Sequence, residues 1–296
     1  MLSINTNAAS MAAVNAINTS NSSLATSMER LATGNRINSS ADDAAGKQIA
    51  NRLQAQSSGM SQAMRNVSDA TAMLQTADGT FDEMNNILGR MQDLATQAAN
   101  GTYSDDDRAA MQSEFDELGQ QMSDMMQNTT YGGTNLFGAS GGLFSSGAVS
   151  FQVGAESSDT MSVDISSQLT SLTSSLSSLS DAFSADQAGS GFTSGSGTEL
   201  MTASSANQTI SAVQSTMAQV GRIQSSLGAS INRLNDTAAN LQNMKDNTDA
   251  AVGNIMDTDY ATEASNMTKQ QMLMQTGISM LKQSNSMSSM VSSLLQ

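Results

Sequence analysis

Apolar residues recur along much of this chain with a seven-residue period. Leu53, Met60, Val67, Leu74, Phe81 and Leu88 follow one another without a slip, and Gln56, Ala63, Ala70, Ala77, Met84 and Met91 come three residues after each. An a/d seam held over so many heptads predicts a coiled-coil helix, and the Ala positions let a neighbour approach closely. At a rise of about 1.5 Å per residue, the stretch from Leu53 to Leu88 spans roughly 50 Å. A second grid alternates steps of three and four through Ile210, Val213, Met217, Val220, Gln224, Leu227, Ile231, Leu234, Ala238, Leu241, Lys245, Thr248, Val252 and Ile255. It predicts a helix of about 70 Å. A shorter stripe, Met111, Phe115, Leu118, Met122 and Met125, predicts a third helix. Ser104 is its expected N-cap, with Asp105, Asp106 and Asp107 against the positive end of the dipole.

The two chain ends are amphipathic as well. Ile4, Met11, Val14, Ile17, Leu24, Met28 and Leu31 follow helical spacing up to Gly34, an expected C-cap. Ser40 is the expected cap of the next helix, with Asp43 three residues on. Near the other end, Met267, Met274, Ile278 and Leu281 form one stripe, and Leu273, Met280, Met287, Val291 and Leu294 form another beside it, with Leu295 next in line. Each end can cover the other in an ordinary bundle. Together they offer more apolar face than one partner helix covers, and the preferred reading is that further copies of the chain are needed. In that reading the ends stay disordered until assembly.

The middle breaks the helical pattern. Gly132-Gly133 and the stretch from Gly138 to Gly142 interrupt it. Val149, Phe151 and Val153 then alternate, followed by Met161, Val163 and Ile165, which predicts a β-hairpin with one buried face. Beyond it, Leu169, Leu172, Leu176 and Leu179 suit one short helix inside a Ser/Thr/Gly-rich stretch of linker-like composition.

Composition removes whole classes of function. The chain has no Cys, His, Trp or Pro. Disulfide scaffolds, thiol nucleophiles, Ser-His-Asp mechanisms and zinc sites built on Cys or His lack their chemistry. The acidic triplet at 105–107 lacks the spacing and glycine of a calcium loop, so no metal or other cofactor is expected. Paired carboxylates at Asp42-Asp43 or among Asp257, Asp259 and Glu263 suit acid-base work, but N-capping accounts for them more simply. No enzyme is expected. A net charge of −15 argues against nucleic acid and against anionic membranes. No apolar run reaches membrane-spanning length, so no membrane insertion is expected. Met1 to Glu29 carries no Lys or Arg, so the basic region of a cleavable secretory signal is missing.

Six fragments, in order, carry a resemblance. They are the opening Met1 to Ala9, the run Leu31-Ala-Thr-Gly-Asn-Arg-Ile-Asn-Ser-Ser-Ala-Asp-Asp-Ala-Ala-Gly46, Ile49-Ala-Asn-Arg52, Ile231-Asn-Arg-Leu234, Asp257-Thr-Asp-Tyr-Ala-Thr-Glu263 and the ending Ser292-Ser-Leu-Leu-Gln296, with the Met-rich core between them. Over roughly 1–137 and 205–296 the chain resembles the bacterial flagellins, most of all the lateral flagellins of swarming Gram-negative bacteria. The fold class expected from periodicity and resemblance together is mainly α. It is a long antiparallel coiled-coil rod with a small β-hairpin and paired terminal helices. An inner domain is expected at 1–42 and 256–296, and an outer core domain at 43–165 and 205–255, with the hairpin near 149–165. A short surface segment is expected at 166–204.

The function this resemblance implies is that of a subunit of the extracellular flagellar filament, serving swimming or swarming and exported without a cleavable signal peptide. Its polymerisation seam would comprise Ile4, Met11, Val14, Ile17, Leu24, Met28, Leu31, Met274, Ile278, Leu281, Val291, Leu294 and Leu295. The resemblance also implies an export chaperone, a filament cap and hook-junction proteins as partners beside the homopolymer itself. The vertebrate Toll-like receptor for flagellin is a further implied partner. Arg90, Leu94, Gln97 and Glu114 match the family's receptor-binding pattern, while Gly89 and Asp93 depart from it; an interface between subunits is the other reading of this patch. A hook–filament junction protein and a secreted coiled-coil translocator are the alternatives, since both share such ends.

Overall fold

The structure, a computed structural model, describes residues 7–138, 141–180, 183 and 197–294, with side chains up to 287. The elements are α1 (Ala8–Thr33), α2 (Ala44–Ala98), α3 (Asp105–Asn128), β1 (Thr130–Tyr131), β2 (Thr134–Asn135), β3 (Val149–Gln152), β4 (Thr160–Val163), α4 (Ser166–Leu179), α5 (Ala203–Met256) and α6 (Tyr260–Leu294). The fold is mainly helical, α1 pairing with α6 and α2 with α5, with two small antiparallel sheets. Two compact units emerge, Met1–Ser58 with Lys245–Gln296 and Gly59–Met244. Their limits fall inside α2 and α5, where the sequence reading sets them at 42/43 and 255/256.

In the unit 59–244, the heptad of α2 is the core. Met60, Val67, Leu74, Phe81 and Leu88 are buried together with Ala63, Ala70, Ala77, Met84 and Met91. Across from them α5 buries Val213, Val220, Leu227, Leu234 and Leu241. The antiparallel register is fixed by Gln224, whose amide accepts from Asn85 at 2.9 Å and donates to Asp82 at 2.6 Å. The second column of the α5 seam differs from the expected grid. The buried residues are Thr209, Thr216, Ile223 and Ser230, while Ile210, Met217 and Ile231 are half-buried. Thr216 and Ser230 enter an apolar seam because their hydroxyls donate to the carbonyls of Ala212 and Ser226 one turn earlier. A reading that scores only apolar residues misses such positions.

Helix α3 begins as its sequence requires. Ser104 accepts from the backbone N–H of Asp107, and the Asp107 carboxylate accepts from the backbone N–H of Ser104 at 3.0 Å, a complete capping box. The Ser104 hydroxyl, which donates to the Asp107 carboxylate at 2.7 Å, and then the Ser104 backbone N–H hold that carboxyl below the usual aspartate range. Arg108, one residue further, closes the preceding helix. Its guanidinium donates to the carbonyls of Ala98 and Asn100, the acceptors left open where α2 ends.

Two hairpins follow. Gly132 and Gly133 both have positive φ, 58° and 83°, which suits a two-residue turn and pairs Tyr131 with Thr134. The sequence reading treats these glycines only as a break. The hairpin expected near 149–165 forms with Val149 opposite Val163 and Phe151 opposite Met161. Met161, Val163 and Ile165 are its buried face. Helix α4 departs from the expectation of a surface segment over its own part, 166–179, of the stretch 166–204. Leu169, Leu172, Leu176 and Leu179 all lie inside the same core as the α2 heptad. The segment is polar on average, yet its four leucines share one helical face.

A polar cluster inside this unit has no counterpart in the sequence reading. The fully buried Gln112 of α3 donates through its amide to Asp116 at 2.8 Å and to Glu199 at 2.6 Å, and accepts from the backbone N–H of Leu200 at 2.7 Å. One side chain thus fastens the chain just ahead of α5 onto α3. Gly197 lies against the cluster, where a Cβ would collide with the Glu199 carboxylate.

Candidate assembly surface

The unit formed by Met1–Ser58 and Lys245–Gln296 carries the expected seam. Asn7 caps α1 by accepting from the N–H of Ser10, and its own amide donates to Ser284 of α6 at 2.9 Å. The pair is antiparallel. The positions α1 buries, wholly or in part, include Ala13, Ile17, Ser20, Leu24, Ser27 and Leu31; those of α6 are Glu263, Met267, Gln270, Met274, Gly277, Leu281 and Ser284. Both series step by three and four, and large residues alternate with small ones. At Gly277 the contact is so close that a Cβ would sit 2.8 Å from Cγ1 of Ile17. The sequence reading leaves these ends disordered before assembly; in the structure residues 8–33 and 260–294 are helical, and α1 packs on α6 as far as Ser284.

One seam does not cover the apolar residues these helices carry. Eleven large hydrophobic side chains are exposed among the described residues, and nine of them belong to α1 or α6: Met11, Val14, Met28, Tyr260, Met272, Leu273, Ile278, Met280 and Met287. Leu273, Met280 and Met287 recur every seven residues beside the covered stripe. The expected polymerisation seam therefore divides. Ile17, Leu24, Leu31, Met274 and Leu281 face the partner helix of the same chain, whereas Met11, Val14, Met28 and Ile278 are open. Ile4 and Leu295 lie outside the described residues, as do the side chains of Val291 and Leu294.

The loop between α1 and α2 joins this pair to the end of α5. Gly34 closes α1 with φ 77°, its N–H donating to Arg30, and the phenol oxygen of Tyr260 would stand 3.1 Å from a Cβ there. Asn35 bridges to Asp257, the N–H of Arg36 donates to Met256 at 2.6 Å, and the N–H of Thr258 donates to Gly34 at 2.9 Å. Ile37 is buried beneath. The cap of α2 is Asp43, which accepts from the N–H of Gly46 at 2.8 Å, rather than Ser40. Asp sits closer to the first helical turn than Ser40 does, and Asp42 folds back to accept from Asn38 and Ser39.

Three carboxylates of this region are held below the usual aspartate range. Asp42 owes its shift first to the backbone and then the hydroxyl of Ser39. Asp259 owes it to the Thr262 hydroxyl and then the N–H groups that start α6. Asp249 owes it to Lys245 and then Ser57, whose buried hydroxyl donates to it at 2.5 Å. A carboxyl depressed by folding stabilises the fold fully above its ordinary value near 3.8, and that contribution is lost as the pH falls through the lower folded value. The protection of amides in 34–43 and 253–262 against hydrogen exchange, taken relative to their intrinsic rates, should therefore fall as the pH drops below about 4. Unchanged protection there would contradict these assignments.

The close contact at Gly277 gives a second expected result. Gly277→Leu should force α1 and α6 apart at a cost of about 1–3 kcal/mol. By contrast Gly221 of α5 has nothing within 4 Å of a Cβ, so Gly221→Ala should stabilise its helix by about 0.5–1 kcal/mol. Hydrogen exchange of α1 and α6 amides reads the first, and thermal unfolding reads the second. Equal effects from the two substitutions would show that the Gly277 contact has no structural weight.

The other candidate patch lies in the unit 59–244. Arg90 donates to Glu114 through Nε at 2.8 Å and through a terminal nitrogen at 2.6 Å. Gln97 donates to the hydroxyl of Tyr103 at 3.0 Å. Arg90, Gln97 and Glu114 are exposed, but Leu94 is a core residue and no part of that surface. The arginine meets a carboxylate of its own chain.

Comparison with known proteins fits this geometry. Residues 4–141 match the bacterial flagellin N-terminal helical region, and residues 210–295 match the bacterial flagellin C-terminal helical region. The chain belongs to the bacterial flagellin family. It is similar to polar flagellin F of Vibrio parahaemolyticus, 41% identical over 57% of this chain and 44% of that protein. It is also similar to the B-type flagellin of Pseudomonas aeruginosa, 44% identical over 55% of this chain and 33% of that protein. The chain thus spans less than half the length of these curated relatives. Among solved structures, a putative flagellar hook-associated protein from Vibrio parahaemolyticus shares the fold, with a TM-score of 0.53 at 17% identity over 73% of this chain and all of that one. Two of the runs that carry the resemblance, Leu31 to Gly46 and Asp257 to Glu263, meet at the Gly34–Thr258 junction.

Proposed function

We propose that this chain is the repeating subunit of the extracellular filament of the bacterial flagellum and serves motility as a structural protein without enzymatic activity. The observation that carries the reading is the concentration of exposed apolar side chains on α1 and α6, in a chain of the flagellin family. Copies that add by contacts between different faces, without closing a ring, grow into helical filaments. Covering the open stripe of each new copy supplies the driving force, since apolar area removed from water stabilises by about 25 cal/mol per Å². Sedimentation of the purified protein, followed by electron microscopy of the pellet, tests this. Long uniform filaments are expected; a species that stays monomeric at all concentrations would contradict the reading.

The fold-level likeness to a putative hook-associated protein keeps a junction role as the second reading. Copy number separates the two, because a junction needs one ring and a filament many thousands of copies. The finer reading within the family is a lateral filament of swarming cells. Its Met-rich core and the short stretch between the two matched regions support this, while the relatives compared above include a polar flagellin. Immunolabelling of swarming cells decides it by the position of the labelled filaments. Further partners in this reading are an export chaperone, the filament cap and the hook-junction proteins. The exposed Arg90–Glu114 pair with Gln97 is the proposed surface for the vertebrate receptor or for a neighbouring subunit.

A further inference from the structure

Methionine occurs in this chain in two contrasting environments. Met60, Met84, Met91 and Met122 are at most 1% exposed, whereas Met11, Met28, Met272, Met280 and Met287 are 49–68% exposed, all five on α1 or α6. Access of an oxidant to the thioether decides which methionines react. We propose that these five are oxidation sites through which a peroxide controls assembly. A subunit oxidised while its faces are open loses the ability to polymerise, and a subunit already covered by neighbours is protected. The proposal rests on the filament reading above and adds a means of regulation to it.

The chemistry is balanced with hydrogen peroxide as the oxidant. The O–O bond breaks, one oxygen bonds to the methionine sulfur, and the other leaves as water. The sulfur gives up two electrons and the peroxide takes them. The product sulfoxide is a strong hydrogen-bond acceptor with no donor of its own. Val14, Leu273 and Ile278 are exposed on the same two helices, and their side chains donate nothing. A sulfoxide covered by apolar side chains of this kind is a buried acceptor without a partner, which opposes the contact that the thioether favours. Leu in these positions gives the same apolar bulk with no such sensitivity. The core methionines are shielded, so the unit 59–244 keeps its packing while the assembly faces change.

Monomer treated with dilute peroxide should gain oxygen at Met11, Met28, Met272, Met280 and Met287 before Met60, Met84, Met91 or Met122, as read by peptide mass spectrometry. The concentration needed for sedimentable polymer should rise about tenfold or more. Treatment with methionine sulfoxide reductases should restore it. Filaments given the same peroxide should remain largely unoxidised at these five sites. A variant carrying all five as Leu should assemble with or without peroxide treatment. Oxidation of the five residues with unchanged assembly would overturn the proposal and leave the filament reading intact, as would a loss of assembly that the reductases do not reverse. Untreated protein that never assembles would instead overturn the filament reading. If the Leu variant misfolds, reversal by the reductases on the natural chain still decides the matter.

Discussion

Replacing Leu273, Met280 and Met287 together by Ser is expected to raise the concentration required for polymerisation by two to three powers of ten. These residues recur on one face of α6 and are about half exposed or more. Covering one large apolar side chain completely is worth roughly 1.5–3 kcal/mol, so covering the exposed part of three is worth about 3–4 kcal/mol per subunit. At 1.4 kcal/mol for each factor of ten, the expected change follows. The α1–α6 seam itself runs through Met267, Met274 and Leu281, which the substitutions leave in place. The circular dichroism of the monomer should therefore change little while sedimentation changes greatly. Polymerisation at the original concentration would show that this stripe is not an assembly face. A loss of helix in the monomer would show that the stripe is needed inside the chain.

The second large effect concerns α4. Leu172→Ala with Leu176→Ala should destabilise the unit 59–244 by about 5 kcal/mol or more, since each deletion leaves a cavity costing about 2.7–5 kcal/mol where the surroundings cannot collapse. Both residues are fully buried in a core shared with Phe81, Leu88 and Val220. A loss of that size approaches the whole stability of an ordinary domain. Denaturant unfolding monitored by circular dichroism should show an early transition, with part of the helix melting ahead of the rest. A surface segment predicts no such loss, so an unchanged profile would restore the reading of 166–204 as solvent-facing.

How much of this was legible in the sequence depended on what kind of residue carried the information. The α2 heptad was legible because Leu, Met and Phe at one register leave little choice of face. Ser104 as an N-cap, and Gly34 after a helical run, were legible because few residues serve those backbone conformations. Positions decided by small or polar residues were not. Ser27 and Gly277 fill the narrow places of the α1–α6 seam, and Thr216 and Ser230 occupy the α5 seam with hydroxyls satisfied one turn back. Gln112 is polar and fully buried, and no local pattern announces its partners Glu199 and Leu200 from far along the chain. The candidate site was legible in its residue types but not in its division. Amphipathic spacing identifies both stripes of α6, and only the packing of α1 tells which is covered and which is open.

The central claim is that copies of this chain assemble by covering the apolar stripes that α1 and α6 leave open. Electron cryomicroscopy of the polymerised protein tests it most directly, at a resolution that places side chains. The account predicts that Met11, Val14, Met28, Leu273, Met280 and Met287 pack against neighbouring copies. A filament in which these side chains still face solvent would contradict it.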